Sequence, residues 1–177
     1  MRGNWVVTAG LIMAAARLAP GAEPITASNW QRHPDIVEIR AIYEEIKQAE
    51  STGRLSKLQR TFEHCRSYED TERVLYLDAQ GAVRSYHFGG GSEDSAARHA
   101  HYYDRDGKLR SVFITAGAAN GTQLEHRIYL SKDGTRLWEA QQRQGPGWTV
   151  PFQIPESELV KNPKQAFDGA SQCPEVK

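Results

Sequence analysis

Three segments of the chain repeat one pattern. RVLYLDAQGAVRSYHF spans 73–88, HAHYYDRDGKLRSVFI spans 99–114 and HRIYLSKDGTRLWEAQ spans 126–141. Their turn glycines, Gly81, Gly107 and Gly134, lie 26 and 27 residues apart. The first two copies share Tyr76/Tyr102, Asp78/Asp104, Arg84/Arg110 and Ser85/Ser111, and the third keeps Tyr129. Apolar residues alternate on both sides of an Asp-x-x-Gly turn. That is the chemistry of a three-residue hairpin loop, in which the Asp side chain caps a type I turn and glycine takes the left-handed bulge position. Three hairpins in series predict a six-stranded antiparallel meander, and such a sheet needs a second layer over an apolar face. The segments 89–95 and 116–122, rich in Gly, Ala and Ser, read as linkers between hairpins.

A helix ahead of the repeats can supply that layer. Asp35 and Glu38 form a capping-box pattern. Ile36, Ile39, Tyr43 and Ile46 then recur at spacings of three and four, and Gly53 supplies a stop. The helix is expected over about 35–52. Leu55–Cys65 fits either a short helix or an extended stretch. The expected fold is α+β: an N-terminal amphipathic helix packed on a meander of about six strands, with an irregular C-terminal tail. The tail holds four prolines between Gly145 and Pro163, alternates Trp148, Val150, Phe152 and Ile154, and predicts a short helix from Glu156 to Lys161.

The stretch YYDRDGKLRS resembles the Tyr-Asp-x-x-Gly-x-Leu hairpins of YD-type repeat proteins and of bacterial MORN-like repeats. The match covers about 13 residues of each copy, and the MORN glycine pattern is absent. The resemblance implies stacked antiparallel hairpins and carries no site residue with it.

A bulged three-residue loop pairs Asp78 with Ala82, and alternation then sorts two faces. One carries Leu75, Leu77, Val83, Tyr103, Leu109, Phe113, Ile128, Leu130 and Trp138, and is expected to meet the helix. The other, carrying Tyr76, Arg84, Tyr102, Arg110, Arg127 and Tyr129 with Val74, Val112 and Ile114, is expected to be partly wet. Of it, Tyr76, Arg84, Tyr102, Arg110 and Tyr129 form a candidate ligand surface of rings beside guanidinium groups. The bland alternative is ordinary packing of Arg over Tyr on a sheet. His87, His99, His101 and His126 fall on the first face in this register. His99, His101 and His126 are the candidate metal ligands, against the bland reading of part-buried histidines at the edge of the sheet. No calcium loop, phosphate loop, serine-hydrolase or zinc-protease motif is present, and no catalytic residue is assigned.

Residues 1–22 carry Arg2, an apolar run from Val6 to Ala16 and small residues, the pattern of a signal peptide. The expected mature chain, 23–177, is then one α+β domain without a transmembrane anchor, periplasmic or secreted. The whole chain has 22 basic and 22 acidic residues. Removing Arg2 and Arg17 leaves a slight acidic excess, which argues against nucleic acid as partner. Cys65 and Cys173 are the only cysteines, and in an oxidising compartment they are expected to pair. Together these features suggest a non-catalytic binding or interaction module of the bacterial cell envelope. It would need no cofactor and would engage an envelope protein, a peptide or a glycan. The alternative is a small secreted hydrolase or metal-dependent enzyme using His87, His99, His101 and His126.

Overall fold

The computed structural model describes residues 23–62, 69–91, 93–147 and 154–169. The Cys65–Cys173 pairing, the N-terminal segment 1–22 and Trp148, Val150 and Phe152 lie outside these residues. A helix, α1 (Pro34–Ser51), precedes seven strands. These are β1 (Ser56–Phe62), β2 (Glu69–Leu77), β3 (Val83–Gly91), β4 (Ser95–Tyr103), β5 (Leu109–Ala118), β6 (Gln123–Leu130) and β7 (Arg136–Gln144). A short 3-10 turn, Glu156–Glu158, and a helix, α2 (Pro163–Asp168), follow. The strands form one antiparallel sheet in sequence order, so every connection is a hairpin. The fold is α+β, with seven strands rather than six.

The extra strand is β1, in the stretch the sequence left undecided. It is a largely exposed edge strand, so no alternation of buried residues marks it. The expected linkers are strand as well: Gly89–Gly91 end β3 and Ala116–Ala118 end β5. The 116–122 segment closes with a turn of the hairpin type, in which the Ala118 amide donates to Thr122 O and the Gly121 amide to Ala118 O. The Asp-x-x-Gly turns form as expected. Asp78 Oδ1 accepts from the amides of Gln80 and Ala82, and Asp104 Oδ1 from those of Asp106 and Lys108. Gly81 and Gly107 sit at φ of 77° and 73°, the left-handed region that a side chain disfavours.

Helix α1 starts two residues earlier than the capping box implies. Its N-cap is His33, whose Nδ1 accepts from the Asp35 amide at 3.3 Å, with Pro34 at the first helical position. Glu38 is spent on an ion pair with the sheet instead. In the tail, the expected helix at 156–161 is only the 3-10 turn, and the helical turns come later, in α2.

The hairpins contain a second irregularity that inverts the expected layering. The pairing Leu77↔Val83 holds, but the next pair is Tyr76↔Ser85, not Tyr76↔Arg84. Tyr102↔Ser111 and Tyr129↔Trp138 repeat the shift. Each hairpin thus has a β-bulge, with Arg84, Arg110 and Leu137 as the additional residues, and beyond it every side chain of the second strand changes face. Phe113 and Trp138 therefore leave the expected core face, while Val112 and Ile114 join it.

The helix lies on the face that was expected to be wet. Ile36 and Ile39 pack with Tyr129, and Ile46 with Ala100 and Tyr102. The three isoleucines are at most 1% exposed, each burial worth about 1.5–3 kcal/mol before entropy is counted. The opposite face, with Leu75, Tyr86, Tyr103, Val112, Ile114, Ile128 and Leu130, is covered by the tail through Ile154, Leu159 and Phe167. Two layers therefore sandwich the sheet, one from each end of the chain.

Candidate functional site

Helix α1 crosses the strands, with its first turns over β6 and its last over β3. Seven helical residues advance about 10.5 Å, and two strands advance about 9.5 Å. The helix therefore meets the same point of successive hairpins every seven residues. Arg84 donates its Nε to Tyr103 O, and its Nη2 lies 3.6 Å from Glu45. Arg110, one hairpin on, donates its Nε to Leu130 O and its Nη1 to Glu38 at 3.2 Å. Glu45 is also met by Arg105, and Glu38 by Lys132, again one hairpin apart.

This match explains the fate of the proposed ligand ladder. Arg84, Tyr102, Arg110 and Tyr129 are buried under α1, and only Tyr76 is half-buried. The five residues do line one face, but as the seat of the helix rather than as an open surface. Burial pushes the Tyr102 and Tyr129 phenols up, so both stay protonated.

The histidines divide between the faces because of the bulge. His87 lies under the helix, 3.2 Å from Glu50. His99, His101 and His126 lie on the tail face. His126 Nε2 is 3.0 Å from Glu139. His99 stacks on Phe88 at 4.6 Å, and His101 stacks on the same ring at 5.5 Å. Burial, then the charges of Arg73 and His126, lower the His99 pKa to about 4. Burial, then His99, lowers that of His101 to about 3. Both imidazoles are neutral at pH 7. Among the described residues, no three His, Cys, Asp or Glu side chains are placed to share a metal ion.

A partly enclosed cavity lies elsewhere, beside the helix over β5 and β6. Arg40, Tyr43 and Glu44 line it from α1, and Ser111, Phe113, Arg127 and Tyr129 from the sheet, around about 240 Å³. Arg127 lies over the Phe113 ring at 4.5 Å and pairs with Glu125 at 2.8 Å. Ser111 Oγ is buried and has no hydrogen-bond partner. The lining offers two guanidinium groups, aromatic walls, the Ser111 hydroxyl and the Glu44 carboxylate to a guest.

Of these residues the sequence had marked only Tyr129 as ligand-binding. Two signals pointed to Ser111 and Arg40. Ser85 and Ser111 are identical positions of the repeat, and Lys47 and Arg40 are both basic at a spacing of seven. Comparison with family models, curated proteins and solved structures gives no match. Among the described residues no helix is long and apolar enough to cross a membrane.

Proposed function

We propose that the chain is an exported, non-catalytic binding module of the bacterial cell envelope, and that it takes a small ligand in the cavity beside α1. The observation that carries this reading is the cavity itself, which is partly open and lined by groups suited to hold a guest. At about 240 Å³ it is smaller than the roughly 300–1,000 Å³ usual for drug-sized ligands, so the guest is small. Binding is favoured over catalysis because Ser111, the aliphatic hydroxyl of the lining, has no base in hydrogen-bond contact to activate it. The signal-like N-terminus supports export, and export supports a Cys65–Cys173 disulfide.

A ligand screen on the purified protein tests the reading. Small metabolites, short glycans and peptides are added, and the melting temperature is followed. A ligand of this site raises it in the wild type and not in Ser111→Phe, whose ring occupies the cavity. Shifts that survive in Ser111→Phe would place binding elsewhere. N-terminal sequencing of the protein recovered from producing cells tests export, and thiol titration without reductant tests the disulfide.

A further inference from the structure

The helix and hairpins build one local arrangement twice, and the second copy lacks a carboxylate. In the first copy, Glu50 is only 7% exposed. It accepts from Ser85 Oγ at 2.5 Å and from Lys47 Nζ at 2.9 Å, and it lies 3.2 Å from His87 Nε2. Seven residues back along α1 and one hairpin on, the corresponding residues are Tyr43, Ser111, Arg40 and Phe113. The hydroxyl and the cation recur. The acid does not, because Tyr43 stands at its place and turns its ring edge-on to Tyr102 at 4.9 Å.

What remains there is the 240 Å³ cavity. Ser111 is 7% exposed, and its Oγ has no partner. An unsatisfied buried hydroxyl of this kind destabilises a fold, and a guest that accepts its hydrogen bond recovers part of that loss. Arg40 offers the charge that Lys47 offers in the first copy, and Arg127 adds a second guanidinium. Where the first copy has His87, this one has the apolar ring of Phe113, so the body of the guest meets carbon rather than a donor.

We propose that the cavity binds a small monocarboxylate, whose acid group takes in the second hairpin the place that Glu50 takes in the first. The proposal rests on the reading of this cavity as a ligand site. Ser111 and Arg40 hold the carboxylate, Arg127 faces it from the sheet, and Phe113 and Tyr129 wall the apolar body. Glu44 at the exposed rim disfavours a second negative charge on the guest, so a monoanion is preferred to a dianion.

Isothermal titration of the purified protein with acetate, benzoate and phenylacetate, each beside its primary amide, tests this. At least one acid is expected to bind about tenfold or more tighter than its amide, and Arg40→Ala and Ser111→Ala each to weaken it by about tenfold. The decisive variant is Tyr43→Glu. It supplies from within the chain the acid that the second copy lacks, so it is expected to abolish acid binding while the melting temperature is held or raised. Three results overturn the carboxylate assignment: no acid binding tighter than its amide, acids binding Tyr43→Glu as tightly as wild type, or Tyr43→Glu losing binding only by unfolding while Arg40→Ala and Ser111→Ala bind normally. If neutral ligands from the wider screen still bind in the cavity, the binding-module reading survives that failure. If nothing binds there, both fall.

Discussion

Arg84 and Arg110 occupy one structural position twice. Each is the additional residue of a β-bulge, each donates its Nε to a carbonyl of the following hairpin, and each reaches a glutamate of α1. The glutamates, Glu45 and Glu38, are seven residues apart. The two arginines differ in one partner: Arg110 also meets the buried Asp104, at 3.4 Å. Removing Arg110 would strand that carboxylate. Arg110→Ala is expected to destabilise by about 2–3 kcal/mol, below the full cost of breaking a buried pair because Glu38 is half exposed. Arg84→Ala should cost less. Arg110→Lys should recover little, since an ammonium cannot reproduce the fork that serves the Leu130 carbonyl and two acids together. Urea denaturation of the three variants checks the order.

The Glu50 cluster gives the fold an acid limit. Burial alone would raise the Glu50 carboxyl, but the nearby His87 ring and the hydrogen bonds from Ser85 and Lys47 outweigh it and hold the pKa at about 2, against 4.5 in the unfolded chain. A carboxyl depressed on folding stabilises fully above its unfolded pKa, and that stability is lost as pH falls through its folded one. Glu50→Gln should therefore lower stability at pH 7 by about 1–3 kcal/mol, leaving Ser85 and Lys47 poorly satisfied. It should also flatten the loss of stability between pH 4.5 and 2. A pH series of denaturation curves that ran parallel for the two proteins would refute this.

The histidines of the tail face act at higher pH. His99 and His101 have pKa values near 4 and 3 in the fold, against 6.5 when unfolded. The unfolded chain binds their protons first, so stability is complete above pH 6.5 and falls as pH drops towards those folded values. Each group adds about 1.4 kcal/mol per pH unit inside its window. His101→Leu should flatten that slope and be close to neutral at pH 7, because neither ring nitrogen of His101 makes a well-formed hydrogen bond. A slope between pH 6 and 4.5 unchanged in His101→Leu would count against the assignment.

The hairpin turns were legible because Asp-x-x-Gly chemistry is local: Asp78 and Asp104 cap their own loops, and glycine alone suits the left-handed position. The bulges were not, because an additional residue in a strand looks like any other strand residue. The repeated Arg-Ser pair after the turn, Arg84-Ser85 and Arg110-Ser111, was their trace. Missing them exchanged the faces of His87, Phe113, Trp138, Val112 and Ile114. The helix was legible from its periodicity, but its partner face was not. That choice depends on Glu38 and Glu45 lying in register with arginines some forty to seventy residues away. The cavity depends on the same register, failing at a single tyrosine.

The tail layer hangs on few polar contacts, which makes it testable. The Tyr103 hydroxyl donates to Val160 O at 2.7 Å, from a ring that is fully buried. Arg136 binds Glu156 at 2.7 Å and Ile154 O at 2.5 Å. Tyr103→Phe keeps the ring and loses the bond, leaving Val160 O to water or to nothing, so it should cost about 1 kcal/mol. Arg136→Ala cuts the tail loose nearer its start and also frees Glu139, the partner of His126. The double variant should open 154–169 before the sheet unfolds, because the helix layer on the other face is untouched. Limited proteolysis reads this directly. Cleavage within the tail should speed up in Tyr103→Phe and further in the double variant, while cleavage in the hairpin loops stays at the wild-type rate. Equal acceleration at both places would mean that the tail and the sheet unfold as one unit.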